Sequence, residues 1–165
     1  MIMLTPNHKR IILVGKAASG KDHLRKRFQS RGFSYAVTHT TRPMREGEGI
    51  GKDYHFISED EAKVLIESNF FYEYVIFNGW VYGTSIGEFY SKDLFIMTPK
   101  GISLMKPEDR KQSFVIYVDI DMPTRMVRLS NRNMPGDSMD RRIQADELDF
   151  ADFNDYDLRI TNSDF

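Results

Sequence analysis

Residues 11–24, Ile11-Ile12-Leu13-Val14-Gly15-Lys16-Ala17-Ala18-Ser19-Gly20-Lys21-Asp22-His23-Leu24, pass from an apolar run through two glycines into a polar segment. Ile11 to Val14 is apolar and largely β-branched, the composition of a strand covered on both faces. Gly15, Gly20 and Lys21 keep the spacing G-x-x-x-x-G-K. Two glycines let the backbone curl, so that amides from Gly15 through Lys16, Ala17, Ala18, Ser19 and Gly20 can converge on an anion. A helix starting near Lys21 adds its positive end, and the Lys21 ammonium can reach the outer phosphates. The stretch therefore reads as strand, phosphate loop and helix, a holder for a nucleoside triphosphate. Where a hydroxyl residue usually follows the lysine, this chain has Asp22, a hard oxygen ligand able to hold Mg²⁺ directly or through water.

The composition bounds what surrounds that loop. A chain of 165 residues fits one domain that can bury a core without staples. The absence of cysteine excludes disulfides, thiolate metal sites and cysteine nucleophiles together. Lysine and arginine total 23 against 24 aspartates and glutamates, which argues against a general nucleic-acid or membrane-surface binder and makes any cationic site local. The opening MIMLTPNHKR has no apolar run of signal-peptide length, and nowhere do about eighteen apolar residues follow one another, so the cytoplasm is the expected compartment. The composition sets no oligomeric state.

Downstream, Leu24 and Phe28 give the first helix an apolar edge, and Arg25, Lys26, Arg27 and Arg31 read as its solvated face. Gly32 is expected to stop it, with a short strand over Phe33 to Val37. Thr38 to Phe56 is too rich in breakers for regular structure and reads as a long loop. The guanidinium forks of Arg42 and Arg45 suit phosphate oxygens, with the Thr38, Thr41 and Tyr54 hydroxyls beside them; an exposed loop whose arginines pair with Glu46 and Glu48 fits the same composition. A helix is expected over Ser58 to Glu67, capped by Ser58 and Glu61. Phe70 to Phe77 and Trp80 to Tyr82 read as a hairpin through Asn78-Gly79, with Phe70, Phe71, Tyr72 and Phe77 as the core of a compact β-rich insertion. Strands follow at Leu94 to Met97, Ser113 to Asp119 and Leu158 to Thr161, and helices at Gly101 to Met105, Met122 to Asn131 and Ser138 to Asp149. That alternation predicts a parallel sheet with helices on both faces and a ligand at the carboxyl ends of its strands, where the phosphate loop lies. Arg125, Arg128 and Arg132 share one helical face, and Arg141 and Arg142 follow the breakers Pro135 and Gly136; an isolated solvated helix would carry the same pattern.

The segment Thr38-His39-Thr40-Thr41-Arg42-Pro43-Met44-Arg45-Glu46-Gly47-Glu48, followed by Gly51-Lys52-Asp53-Tyr54-His55-Phe56, resembles the monophosphate-binding segment of guanylate kinases, S-x-T-T-R-x-x-R-x-G-E and G-x-D-Y-x-F, with Thr38 where that family has Ser. Phe71-Tyr72-Glu73-Tyr74 and Asn78 to Ser85 are similar to the family's F-I-E-W and G-x-x-Y-G-T/S-S. Arg128-Leu129-Ser130-Asn131-Arg132 and Arg142-Ile143 resemble its lid, and Asp155-Tyr156-Asp157 with Ile160 and Asn162 its last strand. The resemblance implies an α/β phosphate-loop fold of three layers, a parallel sheet flanked by helices, with a core over 9–37, 85–121 and 146–165, a GMP-binding insertion over 38–84 and a helical lid over about 122–145.

It also implies ATP-dependent phosphorylation of GMP or dGMP, with ATP and the monophosphate as small-molecule partners and Mg²⁺ bound with ATP. Lys21 and the amides of the loop through Asp22 would hold the donor phosphates, with Asn162 also at the ATP site and Asp22 at the metal. Arg42, Arg45, Tyr54 and Tyr82 would hold the acceptor phosphate. Glu73, assisted by Thr38 and Thr84, would read the base, since guanine presents two adjacent donors to a carboxylate while adenine presents a lone pair. Arg128, Arg132 and Arg142 would close over the transferring group. Two departures stand out. The family's D-x-D after the insertion is missing from Leu94-Phe95-Ile96-Met97-Thr98-Pro99-Lys100, leaving Asp119 and Asp121 at the end of the following strand as the nearby acids, and the sequence stops soon after the last strand, where the family normally adds a helix. A related kinase with another deoxynucleotide or sugar phosphate as acceptor, and a noncatalytic guanylate-kinase-like binding module, are the competing readings.

Overall fold

The computed structural model describes residues 8–132 and 138–165. Residues 1–7 and the breakers Pro135 and Gly136, within the expected lid, lie outside the described residues. Strand β1 (Arg10–Val14) leads through the phosphate loop into α1 (Lys21–Gln29). The insertion holds β2 (His39–Thr40), β3 (His55–Phe56), α2 (Glu59–Glu67), β4 (Phe71–Phe77) and β5 (Trp80–Ser85). The chain then runs through α3 (Ile86–Ser91), β6 (Leu94–Ile96), α4 (Pro99–Ser103), α5 (Pro107–Lys111), β7 (Ser113–Val118), α6 (Met122–Ser130), α7 (Met139–Phe150) and β8 (Leu158–Ile160).

Two sheets result. The first is parallel throughout, in the order β6-β1-β7-β8, with Ile12 opposite Phe95 on one side and Val115 on the other. Alternation along β1 sends Ile12 and Val14 into a cluster with Phe89, Phe95, Val115, Tyr117 and Phe150, and Ile11 and Leu13 into another with Leu24, Leu94, Ile116 and Val118. A strand apolar at every position is thus buried on both faces. The second sheet, β3-β2-β5-β4, is antiparallel except for β2 with β3. Its hairpin turns at Asn78 and Gly79, both left-handed at φ 53° and 82°, as a two-residue turn of matching twist requires.

Several expectations are corrected. Phe33 to Val37 is not a strand: only Tyr35 bridges to Leu94, because Asp93 takes the Ser34 amide and Glu88 takes the Val37 amide, side-chain carboxylates replacing a ladder. The stretch from Thr38 to Phe56 contains β2 and β3, their backbones bonded through His55 N–H to Thr38 O and Ile57 N–H to Thr40 O. The helices α3 and α5, both shorter than two turns, carried too little periodicity to be expected. Arg25 is not on a solvated face. Buried over the Tyr35 ring, it bonds Asp53 at 2.7 Å and so ties α1 to the segment between β2 and β3. The insertion's aromatics do not form a closed core of their own: Phe70 is partly exposed, Tyr72 stacks on Phe89 of the main core, and Phe77 lines the cleft. The expected helix over Ser58 to Glu67 carries the full capping box, Ser58 Oγ accepting from Glu61 N–H and Glu61 returning to the Ser58 amide.

Candidate active site

A cleft of about 540 Å³ opens where the carboxyl ends of β1 and β6 face the insertion. The phosphate loop forms one wall. Gly15 is required there by close approach, since a Cβ would stand 2.5 Å from the Val118 carbonyl oxygen. Ala18 adopts φ 59° although it is not glycine, and its carbonyl accepts from Arg128 Nη1 at 3.0 Å. The Lys21 ammonium folds back on the loop, donating to the Gly15 and Lys16 carbonyls at 2.5 and 2.9 Å. Burial pulls its pKa down to about 8, against the attraction of Asp146 and then Asp22. Lys16 is turned away from the cleft and paired with Glu147. Asp22 is on the cleft, largely solvent-exposed and 3.4 Å from Arg25.

The opposite wall belongs to the insertion. Arg42, 3% exposed, donates to Glu48 Oε1 and to the Pro43 carbonyl, both at 2.7 Å, and lies over the Tyr54 ring. The pairing with Glu48 is the one a bare loop would make, yet the guanidinium still borders the cleft. Arg45 sits beside it, its pKa lowered by burial and then by Arg42. Burial raises the Tyr54 phenol well above its ordinary range and raises that of Tyr82, so both stay protonated donors. Deeper in, Glu73 is 8% exposed and accepts from Thr84 Oγ1 at 2.6 Å. Burial drives its carboxyl up to about 7, with Thr84 pulling the other way. Thr38 lines the cleft nearby, whereas Thr84 acts through Glu73 and does not itself reach the cleft wall.

The third side comes from α6 and α7. Arg128, Arg132 and Arg142 all line the cleft. Arg125, on the same α6 face by spacing, instead turns inward to the Ile120 carbonyl and to Asp146. Asn162 does not line the cleft; its side chain accepts from the Asp164 amide, and Ser163 and Phe165 border the cavity in its place. Asp119 and Asp121 do not fill the place of the missing acids. Asp119 is engaged with Arg159, and Asp121 caps α6 through Thr124 N–H.

Sequence reasoning missed Asp146 and Asp149. Asp146, 3% exposed, accepts from the Ala17 amide at 2.9 Å, and Asp149 lines the cleft one turn on, its pKa raised to about 6 by burial and then by Asp146. The signal was present as the spacing Arg142, Asp146, Asp149, Phe150, which puts all four on one face of α7, but a helix that polar reads as solvated. Among the described residues no three His, Cys, Asp or Glu side chains gather closely enough to hold a metal by themselves, and no helix is long and apolar enough to cross a membrane.

Comparison with known proteins agrees with the architecture. The guanylate kinase from Sulfurimonas denitrificans is 45% identical over 85 residues, 48% of this chain, and the match spans only 41% of that protein's length. The guanylate kinase from Lactobacillus delbrueckii subsp. bulgaricus is 31% identical over 137 residues, covering 79% of this chain and 67% of its own. The crystal structure of guanylate kinase from Anaplasma phagocytophilum superposes with a TM-score of 0.72 over 98% of this chain and 80% of that one, at 19% identity, a likeness of fold. The model of the guanylate kinase family matches residues 7–165, the whole of the architecture described above, and the chain belongs to that family.

Proposed function

We propose that the chain transfers the terminal phosphoryl group of ATP to GMP or dGMP. The observation that carries this reading is one cleft bordered by a phosphate loop on one side and by Arg42, Arg45, Tyr54, Tyr82 and a buried Glu73 on the other. A monophosphate acceptor is already ionised at neutral pH, so the reaction needs no general base; positioning and charge neutralisation suffice. In this reading Lys21 swings from the loop carbonyls to the β- and γ-phosphates, and the loop amides other than those of Ala17 and Ser19, which donate to Asp146 and to the Lys16 carbonyl, hold the rest. Arg42 and Arg45, with the protonated Tyr54 and Tyr82 phenols, grip the acceptor phosphate. Glu73, once ionised, accepts from guanine N1–H and N2–H₂ together, and a base lacking those donors would leave it buried and unpaired. Arg128, Arg132 and Arg142 spread positive charge over the transferring group and exclude water.

Mg²⁺ fits this donor set. Magnesium favours one or two carboxylates plus substrate phosphates over an all-protein cage, and Asp22 offers an exposed carboxylate at the mouth of the loop. Bound with ATP, it would neutralise the donor phosphates. In the same reading the chain divides into core, GMP-binding insertion and lid, and acts in the cytoplasm with no nucleic-acid or membrane partner.

The test is ADP release from ATP and Mg²⁺ against GMP, dGMP, AMP, CMP and UMP. Turnover confined to the guanine nucleotides is expected, and none above ATP hydrolysis would sink the assignment. An Asp22→Asn variant is expected to need more Mg²⁺ for half-maximal rate; wild-type metal dependence would leave Asp22 only as a favourable charge at the N-terminus of α1.

A further inference from the structure

Arg25 stands on α1 one turn beyond Lys21, and its side chain is 3% exposed. The guanidinium lies 4.6 Å over the Tyr35 ring, donates from Nη2 to Asp53 Oδ1 at 2.7 Å and from Nη1 to Gln29 at 3.4 Å, and turns Nε toward Asp22 Oδ1 at 3.4 Å. One buried cation thus meets a carboxylate beside the phosphate loop and a carboxylate of the insertion. The two partners differ in setting, since the Asp22 side chain is 72% exposed and that of Asp53 is 15% exposed. Water screens the first far more than the second, and the second is also the shorter contact, so the strong tie runs to Asp53. A buried ion pair contributes little net stability over apolar packing, whereas a guanidinium fork fixes direction.

Asp53 passes that direction on. Its other oxygen, Oδ2, accepts from the Gly49 amide at 2.9 Å. The Lys52 and Asp53 amides donate to the Gly49 carbonyl, and the Gly51 amide donates to the Tyr54 carbonyl. The turn over residues 49–54 is therefore closed on itself and fastened to α1 through Asp53. Tyr54, the next residue, lies beneath the Arg42 guanidinium and lines the cleft with it. We infer that Arg25 is a positioning residue for the acceptor side: by holding Asp53 it sets where Tyr54 and Arg42 stand relative to the helix that starts at Lys21. This rests on the kinase reading for its purpose, and on the contact between Arg25 and Asp53 for its geometry.

The experiment compares wild type, Asp53→Asn, Arg25→Gln and the double variant. Asparagine keeps the size of the side chain but has one oxygen where Arg25 and the Gly49 amide each use one. Amide hydrogen exchange without nucleotide is expected to quicken by about tenfold or more at Gly51, Lys52 and Asp53 in either single variant, while β4 and β5 keep their protection. In Asp53→Asn, KM for GMP is expected to rise by about tenfold, with calorimetric MgATP affinity within about twofold of wild type. The double variant should be no worse than the weaker single one, because both changes cut the same contact. Unmoved exchange in the turn would overturn the inference. Faster exchange with an unchanged KM for GMP, or GMP and MgATP weakened alike, would overturn it in favour of a merely structural contact. Should Arg25→Gln melt below the assay temperature, Arg25→Lys, which keeps the charge and loses the fork, carries the same expectations. Exchange and the MgATP titration need no acceptor nucleotide, so failure of the guanine assignment would appear in the wild-type turnover panel and failure of this inference in the variants.

Discussion

Arg42 finds Glu48 within its own loop and Glu73 finds Thr84 across its own hairpin, whereas the phosphate loop is held by Arg128, Asp146 and Glu147 from more than a hundred residues away. The side chains of this wall are thus held by near neighbours in the chain, although β2 pairs with β5 and Arg25 ties Asp53 to α1. The donor wall is assembled by tertiary contacts, and its geometry depends on where α6 and α7 sit. The difference teaches that one cleft can pair a half held mainly from nearby with a half whose order is borrowed, and that substitutions in the two should fail in different ways.

The largest effect is expected from setting one residue of each wall against the other. Lys21→Met removes the cation proposed to meet developing charge on the transferred group, and kcat should fall by roughly 10²–10³-fold or more. Arg42→Lys keeps the charge but loses the planar fork that serves Glu48 and an acceptor phosphate, so KM for GMP should rise by about tenfold or more while MgATP affinity holds. Steady-state kinetics with both substrates varied, together with direct ATP binding, read the contrast. If Arg42→Lys weakened ATP as much as GMP, the walls would not be independent and the comparison would fail.

Glu73→Gln sharpens the acceptor side. The folded pKa of about 7 lies above the ordinary 4.5, so between those values the folded protein holds a proton that the unfolded chain releases. Stability from this group is therefore full below about pH 4.5 and is lost as pH rises through about 7. A glutamine carries no such dependence, and at pH above about 7 the variant should be more stable than wild type, by on the order of 3 kcal/mol at most. Guanine binding has the opposite requirement, because only the ionised carboxylate accepts both donors; kcat/KM for GMP should decline below about pH 7 in wild type and be lower by roughly 10- to 100-fold in the variant. Melting curves across pH, and GMP against AMP kinetics, check the two halves separately. A Gln variant with unchanged kcat/KM for GMP would remove Glu73 from the site.

The same contrast explains what could be read from the chain alone. The phosphate loop, the capping box at Ser58, the Asn78-Gly79 turn and the proposed acceptor residues Arg42, Arg45, Tyr54 and Glu73 belong to local patterns, each read from a few neighbouring residues. Asp146 and Arg25 have no such pattern. Each looks like one more charge on a polar helix until the fold brings Ala17 or Asp53 against it. Phe33 to Val37 failed as a strand for the same reason in reverse, since its composition suited a ladder but the donors of Ser34 and Val37 go to Asp93 and Glu88, far along the chain. Asn162 matched a pattern and missed the cleft, its side chain taken by the Asp164 amide.

The smallest effect is expected at Ala18, where the donor loop holds φ 59° without a glycine. A left-handed conformation costs an alanine about 1–2 kcal/mol, which Ala18→Gly would relieve. Two terms oppose the gain: a glycine frees the unfolded chain by about 0.4–1 kcal/mol, and the buried methyl contributes about 0.8 kcal/mol. The sum leaves Ala18→Gly within about 1 kcal/mol of wild type. Ala18→Val is the informative partner, because a β-branched residue at that φ keeps the strain and adds crowding in a buried position, and it should lose about 1–3 kcal/mol. Thermal melts without nucleotide measure both. A valine variant as stable as wild type would mean that the loop does not hold this conformation in solution, and that the tertiary grip of Arg128 on the Ala18 carbonyl and of Asp146 on the Ala17 amide does not order the donor wall as the comparison requires.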